Sequence, residues 1–430
     1  MTAQKRDENE INQGKIIDQL RCLGIDMISE ANSGHPGIVL GAAPILYTLY
    51  AHHLRFDPLD PNYFNRDRFV MSAGHGSALL YATLYLAGFP ITLDDLKNFR
   101  QIDSITPGHP EYRVTPGVDA STGPLGQGIA MAVGMAMAEA NLRARYNNGK
   151  KEVIDHYTYV LAGDGDLMEG VSYEACSLAG TLKLNKLIVL YDSNDVCLDG
   201  KTSMTFNDNV SMRFVSLGWN VITVSDGESY EAISKAIDEA KNSTDKPTLI
   251  EVKTVIGKHS SLEGTNLVHG SPLSKEEITA IKEKLGVRDI PFTVSQNICD
   301  DFRYFVEKRC SSLSEKFDKT VASLSEEEQE ELKFFMGNDK AIPIKNFIYT
   351  PTEDLLESPR DTSSRLLNSV VKDSPFILGG SADLFAANRT YIKDAGDFSA
   401  NNYLGKNIFF GVREHAMGAI LNGLALSGFR

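Results

Sequence analysis

The chain reads as an α/β protein in which doubly wound parallel sheets carry helices on both faces. Three observations predict this. Apolar runs of strand length at residues 156–161, 187–191, 219–224 and 248–254 alternate with helical stretches at 171–182 and 229–240. The run at 187–191 (LIVLY) is apolar throughout, and that at 156–161 (HYTYVL) reads as a buried strand, the mark of a parallel sheet covered on both faces. Glycine-rich turns follow strands, and the carboxyl ends of strands are where open α/β folds bind their ligands.

In order, 8–30 reads as a helix with Ile11, Ile17, Leu20, Leu23 and Met27 near one face, broken at Asn32-Ser33-Gly34-His35-Pro36-Gly37. A helix over 41–53 and a short strand at 69–71 follow. The strand ends in Ser72-Ala73-Gly74-His75-Gly76-Ser77, a strand-to-helix turn of the kind that lets backbone approach phosphate. Ser121 to Gly128 (STGPLGQG) leads into a small-residue helix at 129–143 whose glycines allow close backbone approach. No Lys-Ser/Thr closes that turn, so it is not a nucleotide P-loop. Charged helical segments fill 274–336, most simply a connection with solvated faces. A second α/β unit begins near Phe347, with a helix at 363–371, strands at 376–378 and 408–410 and a helix at 416–426.

At 430 residues, two or three domains are expected, and 42% hydrophobic residues suffice for full cores. A net charge of −14 argues against nucleic acid or an anionic membrane as partner, since both need a basic face. Five scattered cysteines form neither a disulfide framework nor a CxxC motif, which fits a reducing cytosol. No leader-like start and no membrane-spanning apolar run stand out, so a cytoplasmic protein is expected. The stop at Gly428-Phe429-Arg430, just after one strand and helix of a new unit, suggests a shortened chain or a trypsin-like cut.

The chain is organised around Gly163-Asp164-Gly165-Asp166, answered by Tyr191-Asp192-Ser193-Asn194. Asp164 and Asn194 are 30 residues apart, the length of one βαβ unit, so both fall at the same end of the sheet. A carboxylate and an amide oxygen suit a hard divalent ion such as Mg²⁺ (or Ca²⁺ or Mn²⁺), which with so few protein ligands normally shares its shell with phosphate. Gly-Asp-Gly alone would be an ordinary tight turn; Asn194 at this spacing makes it half of a diphosphate clamp.

Of nine histidines, His35, His75 and His109 sit in loops framed by glycine or proline, and His269 precedes a glycine in the loop 257–273. Each alone could be a satisfied turn histidine. Together, without His-x₃-His or cysteine partners, they point away from zinc and toward a polar substrate and proton transfer. Arg100 could add a local cation. Glu414 lies at a strand-to-helix junction beside apolar residues, where partial desolvation would keep its carboxyl protonated; the plainer reading is a helix-dipole carboxylate.

SGHPG, SAGHGS, TPGHPE, STGPLGQG, GDGDLMEG with YDSN, VHGSPL, GGSADL and GVREHAMGAI resemble, in order, the motifs of the thiamine-diphosphate-dependent transketolase family. The resemblance covers nearly all of 30–428. It implies a thiamine-diphosphate-binding fold: a diphosphate-binding domain at 1–273, a helical connection at 274–345 and the start of a pyrimidine-binding domain at 346–430, only partly present. It implies metal ligation by Asp164, Asn194 and the Val196 carbonyl, and a diphosphate and thiazolium lined by His75, Gly123, Leu125 and Gly165. Glu414 would bond the aminopyrimidine of a cofactor held mainly by the other subunit of a homodimer, with Glu169 and Glu174 linking the two sites. His35, Arg100, His109 and His269 would contact the sugar, with catalytic roles for the three histidines.

The activity implied is transfer of a two-carbon ketol unit from a ketose phosphate to an aldose phosphate through a carbanion at C2 of thiamine diphosphate, in the pentose phosphate pathway. Dihydroxyacetone synthase and 1-deoxyxylulose-5-phosphate synthase share fold and cofactor, and a non-catalytic assembly subunit is the reading of another class. Two departures concern the acceptor phosphate. The family's arginine falls at Ser363, with Arg365 two residues on, and its serine at Ala387; Arg365 or Arg389 would have to stand in.

Overall fold

The computed structural model describes residues 8–147, 149, 151–337, 357–371 and 374–430. Nine strands occur among them: β1 (Arg68–Met71), β2 (Thr158–Gly163), β3 (Leu187–Ser193), β4 (Val196–Cys197), β5 (Gly200–Lys201), β6 (Asn220–Val224), β7 (Thr248–Lys253), β8 (Gly379–Ser381) and β9 (Asn407–Phe409). Five form one parallel sheet in the order β1-β2-β3-β7-β6. β4 and β5 are a small antiparallel hairpin, and β8 and β9 a parallel pair in the second domain.

Helices cover both faces, as the apolar runs foretold. Successive residues of β2 enter opposite cores: Tyr159 and Leu161 pack with the helices Gln13–Ala31 and Ser77–Ala87, whereas Val160 and Ala162 pack with Gln127–Tyr146. Each large side chain fully buried in this way contributes about 1.5–3 kcal/mol. Register fixes where the strands end: Met71 pairs with Leu161 and Gly163 with Asp192, so β1, β2 and β3 deliver their following loops to one edge.

The expected helix over 8–30 runs Gln13–Ala31, because the Asn12 side chain caps it by accepting from the Lys15 N–H at 3.2 Å. The expected helix over 41–53 is three pieces, Pro36–Gly41, Ala43–Thr48 and a π-type turn Leu49–His53. Pro44 breaks the run, and Arg309 donates to the loosened carbonyls of Tyr50 and Leu54 at 2.7 and 2.9 Å. In the charged segment, helices Lys275–Leu285, Gln296–Cys310 and Glu326–Met336 each bury one face; Ile281, Phe302, Leu332 and Phe335 enter the two cores. The expected start of the second unit near Phe347 lies outside the described residues.

In the second unit the strand expected at 376–378 is displaced to β8, since Phe376 and Leu378 exchange backbone hydrogen bonds with Arg430. Helix Glu414–Leu426 crosses helix Gln127–Tyr146 at two facing glycines. A methyl on Gly423 would lie 1.9 Å from the Met131 carbonyl oxygen, and one on Gly134 2.2 Å from that of Ile420. Around this crossing Asn141 donates to the Tyr403 carbonyl at 2.6 Å and Arg413 to the Ser177 hydroxyl at 2.9 Å.

Candidate active site

β2 ends in a sharp turn into a single helical turn, Asp164–Met168. Asp164 is buried at the end of the sheet. Its Oδ1 accepts from the Tyr191 hydroxyl, and its Oδ2 from the N–H groups of Asn194 and Asp195 at 3.2 and 3.1 Å. Asn194 is itself fixed: its Oδ1 accepts from the Val196 N–H at 3.1 Å and its Nδ2 donates to Asp192 Oδ2 at 3.1 Å. Asp195, at φ 62°, makes the bend that leads into the β4–β5 hairpin.

Burial raises the Asp164 carboxyl against the hydrogen bonds it receives. Asp192 is pushed up to about 6 by burial, opposed by the Thr254 hydroxyl and reinforced by Asp164. Two carboxylates crowded into a desolvated sheet end favour a cation between or beside them. The Asp164 carboxylate and the amide oxygen of Asn194, whose backbone N–H bonds that carboxylate, are hard donors of the kind that fits a divalent ion of the Mg²⁺ type. A Cβ on Gly163 would meet nothing within 4 Å, so the turn has room on its outer side for a ligand.

The histidines gather over the same edge. His35 precedes helix Pro36–Gly41, His75 lies in the turn Gly74–Gly76, and His269 follows the turn Asn266–Val268. Their ring centroids are 5.1 Å (His35–His75), 5.4 Å (His75–His269) and 6.0 Å (His35–His269) apart. Two of the loops are tied directly, the Gly257 N–H donating to the Gly37 carbonyl at 2.9 Å. His35 Nδ1 and His269 Nδ1 are buried with no hydrogen-bond partner among the described residues.

Burial lowers all of them: His75 to about 3 and His35 to about 4, each aided by neighbouring imidazoles, and His269 and His109 in the same direction. Neutral rings can accept a hydroxyl proton, which imidazolium cannot. The shift has a thermodynamic consequence with a definite sign. Because these folded-state values lie below the ordinary 6.5, the unfolded chain takes up the protons first, so stability is full above 6.5 and declines as pH falls toward about 4 for His35 and about 3 for His75. Urea unfolding between pH 7 and 4 should show this decline, and His75→Asn should flatten it.

Arg100 is held at φ 62° and donates to the Ser33 hydroxyl at 2.8 Å, within electrostatic reach of His35 and His109. A Cβ on Gly123 would sit 3.4 Å from the His109 ring, and one on Gly165 2.9 Å from Leu125. The structure thus brings together the residues expected to line the diphosphate and the sugar. Arg365 and Arg389 lie apart from them within the single chain. Both are exposed on the second domain, paired with Glu357 and Asp361 at 2.7 Å.

Glu414 departs from expectation. It is exposed rather than desolvated, because the helix it begins buries Ala416, Ala419 and Ile420 against the first domain and turns its first residue outward. Glu174 lies beside it, accepting from the Ala416 N–H at 2.8 Å, and Glu169 is exposed next to the Gly126 turn. Sequence reasoning missed Tyr191, Asp192, Ser72 and Asp166. Only Asp166 carried a signal, an acidic residue three positions after the turn glycine at a helix start, where carboxylates cap free N–H groups.

Two family models match the chain: "Transketolase, thiamine diphosphate binding domain" over residues 12–340 and "Transketolase, pyrimidine binding domain" over 358–430. The transketolase of Bacillus subtilis is 49% identical over 425 residues, covering 96% of this chain and 63% of that protein. That of Geobacillus stearothermophilus is 48% identical, with 96% and 62% covered. Among solved structures, a Leishmania mexicana transketolase superposes with a TM-score of 0.94 at 44% identity over 97% of this chain and 63% of that one. A Pichia stipitis transketolase in complex with sedoheptulose-7-phosphate gives 0.93 at 42% identity, with 97% and 63% covered. The chain therefore spans a little under two thirds of the length of these relatives. With both family domains recognised and nearly half its residues identical to curated members, the chain belongs to the transketolase family.

Proposed function

We propose that this chain carries the diphosphate-binding half of a transketolase that moves a two-carbon ketol unit from a ketose phosphate to an aldose phosphate, within the pentose phosphate pathway. The observation that supports it most is the convergence of His35, His75 and His269 over the edge where Asp164 and Asn194 meet. Asp164, Asn194 and the Val196 carbonyl would hold Mg²⁺, and His75, Gly123, Leu125 and Gly165 would line the cofactor. Thiamine diphosphate, when bound, supplies the nucleophilic carbon and the electron sink that carbon–carbon cleavage requires.

The chain's own residues do the rest. Neutral His35 and His269 can take a hydrogen bond from the donor sugar through a ring nitrogen. Arg100 and His109 close the sugar end of the groove. Glu414 acts as the proton-holding carboxyl at the pyrimidine; being exposed in a single chain, it acquires its apolar surroundings from a second copy, which makes the working unit a homodimer with Glu169 and Glu174 near its seam. No described helix is long and apolar enough to cross a membrane.

The test is release of glyceraldehyde 3-phosphate from xylulose 5-phosphate, in the presence of ribose 5-phosphate, as thiamine diphosphate and Mg²⁺ are added. Cofactor-dependent release is expected. A chain that binds the cofactor by calorimetry yet releases no aldose would overturn the reading.

A further inference from the structure

Asp166 has no task in the function proposed above, yet it is a buried carboxylate with both oxygens engaged. It is 0% exposed, so it reaches no ligand. Its Oδ1 accepts from the Ser72 hydroxyl at 2.6 Å and the Gly126 N–H at 2.8 Å; its Oδ2 accepts from the Gly163 N–H at 3.0 Å. Ser72 Oγ in turn accepts from the Ile129 N–H at 3.1 Å. The three partners of Asp166 come from three separate segments, and Ile129, in the first turn of helix Gln127–Tyr146, ties to it through Ser72. Ser72 begins the loop that carries His75, Gly126 closes the turn that carries Gly123 and Leu125, and Gly163 precedes Asp164.

A buried carboxylate costs free energy unless it is satisfied, and one satisfied by charge-assisted bonds from three directions holds those donors firmly. It also faces the amino end of the 20-residue helix Gln127–Tyr146, where the helix dipole favours negative charge. With Gly126 and Ile129 engaged by Asp166 and Ser72, that helix end is neutralised by the protein itself. The fit is tight: a Cβ on Gly128 would come within 2.6 Å of Ser72 Cα, so the loop and the helix cannot part or slide without breaking these bonds.

We infer that Asp166, with Ser72 as its relay, is a positioning residue that locks the three cofactor-facing loops into one register. Resting on the function proposed above, this predicts that cofactor affinity depends on a side chain that never touches the cofactor. Asn at this position keeps the shape but offers one acceptor and two donors, so it must turn an N–H toward a backbone N–H on one of the loops.

The expected result for Asp166→Asn is a loss of about 10–100-fold in thiamine diphosphate affinity measured calorimetrically with Mg²⁺, the range seen when an outer partner of a metal site is removed. Hydrogen–deuterium exchange of the cofactor-free chain should rise together in segments 70–78, 122–132 and 160–168. Ser72→Ala should give a smaller effect in the same segments, and the double variant less than the sum of the two, because both act on one link. Unchanged affinity in a folded Asp166→Asn chain, or faster exchange confined to 160–168, would overturn the inference. Should Asp166→Asn fail to fold, Ser72→Ala carries both measurements. If the wild-type chain binds no thiamine diphosphate, the functional reading falls, while the exchange experiment still decides whether the loops are coupled.

Discussion

Asp164→Ala is expected to abolish metal-dependent binding of thiamine diphosphate, weakening it by more than about 100-fold, beyond the cost of losing an outer partner of a metal site. The carboxylate is buried and raised by that burial, so its removal relieves a desolvation penalty even as it takes away a ligand. What remains is an unpartnered Tyr191 hydroxyl and two orphaned N–H groups, of Asn194 and Asp195. Each such group costs about 1–3 kcal/mol, a fraction of which the opening toward solvent recovers. The variant should therefore fold with a modestly lowered melting temperature. Calorimetry with and without Mg²⁺ separates the two effects, and tight metal-dependent binding retained by the variant would place the metal elsewhere.

Glu414→Gln should lower turnover by about 10²–10⁴-fold, the usual worth of a positioned proton-transfer group. Because Gln keeps the size and shape of Glu and Glu414 takes no part in packing within its own chain, the substitution should leave the fold and secondary structure of each chain unchanged. A fall in kcat with the fold intact is then diagnostic of chemistry rather than architecture. Turnover of xylulose 5-phosphate and ribose 5-phosphate at the unaltered rate would remove Glu414 from the mechanism.

The sheet was legible because its central strands are buried on both faces: nothing but apolar residues serves at Leu187 to Leu190, so the pattern is unmistakable. The pairing order was not, since β7 inserts between β3 and β6 for reasons of long-range packing that no local window contains. Asp164 and Asn194 could be found from their spacing, and the histidine loops from the glycines and prolines that frame them. Tyr191 and Asp192 could not, because a tyrosine and an aspartate at a strand end look alike whether they face solvent or hold another side chain. The exposure of Glu414 in the single chain was not legible for a related reason. Its apolar neighbours in sequence turn inward along the helix, so local hydrophobicity said nothing about where residue 414 itself would point.

The paired glycines of helices Gln127–Tyr146 and Glu414–Leu426 set a limit on how this architecture can be recombined. A seam made of main chain against main chain has no rotamers to readjust, unlike one filled by leucines. Exchange of parts between related enzymes therefore has to pass both helices on as a matched set, or draw from parents that each keep a bare Cα at the crossing.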